Sequence, residues 1–307
     1  MSTVSQSNHK KKQLSKVQQS QRRLHIIFLV PSAIIIFGLL GYPLATVLFY
    51  SFQERSILDP TGTWVGFQNY IQIFQDELFW QALWIDIVWT IGAMILSALI
   101  GLGISLLLQE RFRLRNVVRS LALFPYIVPT IVVILIFRYM FNDLHGIVNH
   151  ALGLIGLEGQ TWLASPGTAL TTLIFVGTWK FYPLFIITLL GRLQMIPTSL
   201  YEAARVDGAN YFQSFRYITW PAILPIFLLT LLLRMIWTFN NFDVVYLLNQ
   251  GGPLNSTLTL PLLVYKIGFG EFNLGYSSAI ATIMIVILVI ASLVYFAMQK
   301  RVGRHYG

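Results

Sequence analysis

Six apolar runs, each long enough to cross a lipid bilayer as a helix, constrain this chain more than any other feature of its sequence. They fall at roughly 26–52, 87–108, 121–141, 169–190, 222–247 and 276–298, and one crossing takes about 20 apolar residues. With 56% hydrophobic and only 11% charged residues, the chain is too apolar for a soluble globular protein of its size. Strands of a membrane barrel would be half as long and alternate in polarity, so the expected fold class is an all-α integral membrane protein with six transmembrane helices.

The net charge of +9 raises the question of nucleic acid, but its distribution follows topology instead. Lys10, Lys11, Lys12, Lys16, Arg22 and Arg23 precede the first run; Arg111, Arg113, Arg115 and Arg119 follow the second; Arg192, Arg205 and Arg216 follow the fourth; Lys300, Arg301 and Arg304 follow the sixth. The alternate loops keep only Arg55, Arg138 and Lys266 and carry most of the acids. By the positive-inside rule both termini are cytoplasmic, and the basic excess is an orientation signal. The expected organisation is a basic cytoplasmic tail over 1–23, a six-helix domain over 24–299 and a short cytoplasmic tail over 300–307. The first run is about twice the length of a cleaved signal's apolar region, which predicts a retained helix. The chain has no cysteine, which removes disulfides, thiolate metal sites and cysteine nucleophiles. Gly101 and Gly103 lie within an apolar run, where close helix packing is expected.

The segment 200–221, LYEAARVDGANYFQSFRYITWP, is polar and sits between the fourth and fifth runs on the basic side. Small residues (Ala203, Ala204, Gly208, Ala209) alternate there with Glu202, Arg205 and Asp207, a composition suited to close approach by another protein. Gly208 is expected to interrupt the helix and Pro221 to end it. The spacing of Glu202-Ala203-Ala204, Gly208, Ile218 and Pro221 resembles the EAA loop, about 192–221, of membrane subunits of ABC importers, with Trp220 where that family usually has leucine. Two further segments, 177–183 (GTWKFYP) and 239–242 (FNNF) with Gly251-Gly252-Pro253 downstream, resemble the carbohydrate (maltose/sugar-type) permeases of the binding-protein-dependent family.

That resemblance implies a type I ABC importer permease fold in a bacterial inner membrane. It implies as partners a second homologous permease, two ATP-binding cassette subunits and an extracytoplasmic solute-binding protein, with ATP and magnesium held by the partners and no cofactor in this chain. It implies that Glu202, Ala203, Ala204, Asp207 and Gly208 couple to the ATPase. It places Gly177, Lys180, Phe181, Leu184, Trp237, Thr238 and Asn241 in or beside the solute site, and Gly251, Gly252 and Pro253 at the outer mouth.

The residues alone support part of this. No GxxxxGK[ST] phosphate loop and no Ser/His/Asp or paired-carboxylate constellation occurs, so the chain is not expected to be an enzyme. Asp143, His145 and His150 lack a third close ligand, and no metal site is expected. Lys180 and Arg234 fall near the middle of the fourth and fifth runs, where a charge costs at least a few kcal/mol unless it faces protein or water. Gly177, Lys180, Phe181 and Leu184 share one helix face; Arg234, Trp237, Thr238 and Asn241 share another. Two readings stay open: a midplane pocket in which a sugar stacks on Trp237 and bonds to Asn241 or Lys180, or structural roles in which Lys180 and Arg234 pair with Asp243, Asp86 or helix carbonyls. The rival functions are an ion-coupled secondary transporter and a non-transporting membrane scaffold.

Overall fold

The computed structural model describes residues 28, 30–32, 34–59, 61–110 and 112–306, with side chains up to residue 299. The basic tail expected over 1–23, together with Arg111, lies outside the described residues. A first helix, α1 (Val30–Tyr50), leads into a hairpin of β1 (Gln53–Glu54) and β2 (Thr63–Trp64), antiparallel with Gln53 opposite Trp64. In the hairpin loop the Thr61 hydroxyl and N–H both donate to Asp59 Oδ1, at 2.5 and 3.0 Å, which holds that carboxyl below the usual carboxylate range. Then follow α2 (Gln68–Gln75), α3 (Glu77–Gln109), α4 (Arg115–Ile127), α5 (Thr130–Met140), α6 (Ile147–Leu154) and α7 (Pro166–Leu193). The rest comprises α8 (Thr198–Val206), α9 (Tyr211–Phe239), α10 (Asp243–Asn249), α11 (Leu260–Gly270) and α12 (Leu274–Tyr306).

Helices α1, α3, α7, α9 and α12 are each long and apolar enough to cross a bilayer. The remaining crossing is a broken one: α4 and α5 meet at 96°, which corrects the expectation of one straight helix over 121–141. Pro129 is the cause. It has no N–H to continue the helix, and its ring pushes Val128 into an extended conformation (φ −66°, ψ 133°).

The fifth crossing also differs from expectation. It starts at Tyr211 and ends at Phe239, and the residues beyond it form α10 rather than prolonging it to 247. Pro221, expected to end the loop helix, lies inside α9. Just before it a π turn spans Phe215–Thr219, in which the Trp220 N–H reaches back to the Phe215 carbonyl. Such a widened turn accommodates a residue that cannot donate and whose ring crowds the turn before it.

The core forms around α3. Asp86, Trp89, Thr90, Ala93, Ser97, Gly101 and Ser105 are all buried, and their three- and four-residue spacing makes one face, which packs on α7 and α9. A Cβ at Gly101 would lie 2.3 Å from that of Phe185, so this glycine sets the α3–α7 approach. Gly103, expected to pack in the same way, faces open space.

Candidate functional site

The loop helix α8 joins α7 to α9 and is closed at its C-terminal end by local chemistry. The Ala209 N–H bonds to the Ala204 carbonyl (2.8 Å) and the Gly208 N–H to the Arg205 carbonyl (3.1 Å), the paired bonds of a Schellman motif. Gly208 has φ +77°, and a Cβ there would meet nothing within 4 Å. Its glycine therefore serves backbone conformation, with no close packing inside this chain. Directly after it Asn210 and Gln213 form a reciprocal capping box that starts α9. Glu202, Ala203, Asp207 and Gly208 are exposed, while Ala204 and Ala209 are half-buried. Val206, which sequence reasoning passed over, is 88% exposed; the one β-branched apolar residue inside a charged run was its signal. Behind the loop lies a cavity of about 850 Å³ lined by Gln109, Arg115, Tyr201, Glu202, Arg205 and Thr219, among others.

The break between α4 and α5 and the lysine midway along α7 prove to be one feature. A helix that stops leaves its last carbonyls without partners. Lys180 is 4% exposed, and its Nζ donates to the carbonyls of Pro125 (2.9 Å), Tyr126 (3.4 Å) and Val128 (2.5 Å). Burying an ammonium in a bilayer costs a few kcal/mol, and bonds from a charged donor return about 1.5 to 3 kcal/mol each, so three of them offset the cost. Of the open alternatives, pairing with helix carbonyls is the arrangement observed for Lys180.

Arg234 is 1% exposed and lays its guanidinium 4.1 Å from the centroid of Phe181, so the expected faces of α7 and α9 do meet. Cation–π attraction, about 2 kcal/mol when desolvated, is opposed by Nε and Nη2 having no hydrogen-bond partner. Asp86 is fully buried with both carboxyl oxygens unpartnered; the Leu260 N–H approaches without reaching hydrogen-bond geometry. Asp243 is exposed. Among the described residues no hydrogen bond joins Arg234 to either acid.

The three residues expected to share a pocket, Lys180, Trp237 and Asn241, differ in their surroundings. Lys180 is occupied as above. Asn241 directs its Oδ1 to the Val244 N–H (3.0 Å) at the start of α10, while Trp237 is 49% exposed. Trp237 instead belongs to an exposed stripe of α9 with Leu229 and Leu233, which Asn240 just beyond the helix end continues. Thr238 is buried and bonds to the Arg234 carbonyl (2.7 Å), Leu184 is half-buried, and Gly177 admits Trp89, whose ring would lie 2.1 Å from a Cβ there. At the outer turn Gly251 has φ +85°. The Gly252 carbonyl accepts from Asn249 Nδ2 (2.7 Å) and Thr257 Oγ1 (3.0 Å), two anchoring residues that the sequence did not single out. Among the described residues no group of three potential metal ligands occurs.

Residues 97–305 match the family described as "Binding-protein-dependent transport system inner membrane component". The chain is 35% identical over 268 residues to the inner membrane ABC transporter permease protein YcjO of Escherichia coli (strain K12), covering 86% of this chain and 89% of the relative. It is 30% identical over 291 residues to the trehalose/maltose transport system permease protein MalF of Thermococcus litoralis, covering 94% and 97%. Its fold resembles a chain of a bacterial alginate ABC transporter solved in complex with alginate pentasaccharide-bound periplasmic protein, at TM-score 0.82 and 21% identity over 92% of this chain and 96% of that one. A multi-pass chain with the type I ABC importer permease fold and this match over two thirds of its length belongs to the binding-protein-dependent transport system inner membrane component family.

Proposed function

We propose that this chain is a permease subunit of an ATP-driven importer that passes a sugar or related polyhydroxylated solute, such as an oligosaccharide, glycoside or polyol, delivered by an extracytoplasmic binding protein. The carrying observation is α8: a short, capped helix held between two membrane crossings with Glu202, Ala203, Val206 and Asp207 turned outward. Such a helix fits a groove in a partner ATPase, the source of energy for a chain with no phosphate-binding loop of its own. Both termini and α8 are then cytoplasmic, ATP and magnesium sit on two ATPase partners, and a second permease completes the pathway. Solute passes along the exposed stripe of α9, with Trp237 as the stacking platform. Lys180, Phe181 and Arg234 hold the broken crossing and α9 in place behind it. Gly251, Gly252 and Pro253 shape the outer mouth.

Asp86 favours a second reading, an ion-coupled carrier, because a buried carboxyl without a partner is what an ion site requires. Proteoliposomes separate the two. Uptake of labelled maltose, trehalose and maltodextrins should need internal ATP, the co-purified subunits and the binding protein, and should survive ionophores. Uptake by this chain alone that ionophores abolish would establish the ion-coupled carrier. A chain that binds partners yet supports no uptake of any sugar would be a scaffold.

A further inference from the structure

The cavity behind the loop helix is spanned at one residue. Tyr201, half-buried on α8, places its Oη 2.9 Å from Thr219 Oγ1 and 3.3 Å from Gln109 Nε2. Thr219 is 4% exposed and ends the π turn at the base of α9; Gln109 is the last residue of α3. Among the described residues these are the only side-chain hydrogen bonds from α8 to a membrane-crossing helix. Glu202 and Arg205 line the same cavity and make no such bond.

A short helix lying over a space of this size can tilt about its two chain connections without moving the crossings on either side. A directional bond into the π turn of one crossing and the last residue of another removes that slack. The point of attachment matters as well, because the π turn is where α9 departs from regular hydrogen bonding and is easiest to shift in register. We infer that Tyr201 is the positioning residue that transmits displacement of the loop helix to the inner ends of α3 and α9. This rests on the reading of α8 as the ATPase-docking helix. Packing needs only the phenyl ring of Tyr201; transmission needs its hydroxyl.

The absence of cysteine permits reporter thiols. In the assembled importer in nanodiscs, Ser199→Cys reports on exposed α8 and Asn240→Cys on the exposed outer end of α9, each read as the change in maleimide labelling on adding ATP, magnesium and vanadate. Both reporters should respond in the parent. In Tyr201→Phe and in Thr219→Val the Ser199→Cys response should persist while the Asn240→Cys response falls about fivefold, the equilibrium factor of one hydrogen bond. Thr219→Ser, which keeps the hydroxyl, should restore it, and the double variant Tyr201→Phe/Thr219→Val should be no worse than either single change. An unchanged Asn240→Cys response in Tyr201→Phe, a loss at both reporters together, or a Thr219→Ser as defective as Thr219→Val would each overturn the role of Tyr201. No response at either reporter in the parent would overturn the docking reading beneath it, and the inference with it.

Discussion

At the residue scale a charge in a membrane protein has to be explained by what it bonds. For Lys180 the partners are the three carbonyls that Pro129 releases, so its role in this structure is to cap a broken helix. Lys180→Met keeps much of the side chain's length but leaves those carbonyls bare, at about 1 to 3 kcal/mol per unsatisfied buried group. The purified protein should melt at a lower temperature in detergent while any ATP-driven uptake that remains keeps its order of preference among sugars. A stable Lys180→Met protein with altered preference would instead place the ammonium on the solute. Gly208 makes a sharper case because its φ of +77° costs a non-glycine residue about 1 to 2 kcal/mol and asparagine less. Gly208→Asn should retain more co-purified ATPase than Gly208→Val, whose branched side chain resists that conformation; equal loss in both would mean that bulk at the docking face matters and backbone conformation does not. The sequence displayed both residues as anomalies, a lysine amid apolar residues and a glycine in a charged helix. It offered helix carbonyls as one alternative for Lys180 but not which ones, because reading 121–141 as one helix leaves no free carbonyls there to find.

Elements bounded by local chemistry were legible, and elements bounded by tertiary packing were not. The end of α8 follows from Gly208, whereas the start of α9 at the Asn210–Gln213 capping box lies ahead of the crossing expected from 222. Likewise, α3 begins at Glu77, ten residues before its apolar run, and α9 passes through Pro221 by way of a π turn that no residue pattern announces. The broken crossing of α4 and α5 was foreshadowed by Val128-Pro129, which a count of apolar residues passes over. If the proline and the lysine form one device, their effects on stability must be coupled. Pro129→Ala lets α4 and α5 hydrogen bond through the break, so Lys180→Met should destabilise the Pro129→Ala protein by less than it destabilises the parent, with a coupling of about 1 kcal/mol or more. Strict additivity of the two changes in thermal unfolding would show that the carbonyls and the ammonium do not depend on each other.

For the whole molecule, the alternation of basic and acidic loops predicts which ends of the helices face the cytoplasm, and the fold gives that prediction accessible positions. Ser214, at the base of α9, is half-buried and Leu254, between α10 and α11, is 85% exposed; they lie at opposite ends of the crossings. An impermeant thiol reagent added to intact cells should label Leu254→Cys and spare Ser214→Cys; the reverse pattern would invert the topology. One part of the molecule remains largely uncovered: none of the described residues of α1 is buried, and within this chain it packs on α12. No run of residues in α1 distinguishes a surface facing lipid from one facing another subunit, which is why its surroundings were not legible. The central claim, that force reaches this chain through α8, is tested most directly by cross-linking from its tip. In membranes of cells expressing the complete importer, a short thiol cross-linker on Val206→Cys (Val206 is 88% exposed) should capture a polypeptide that binds and hydrolyses ATP, and the same reagent on Leu254→Cys in the outer loop (Leu254 is 85% exposed) should not. Capture of the ATP-hydrolysing subunit from Leu254→Cys, or from neither position, would contradict the account.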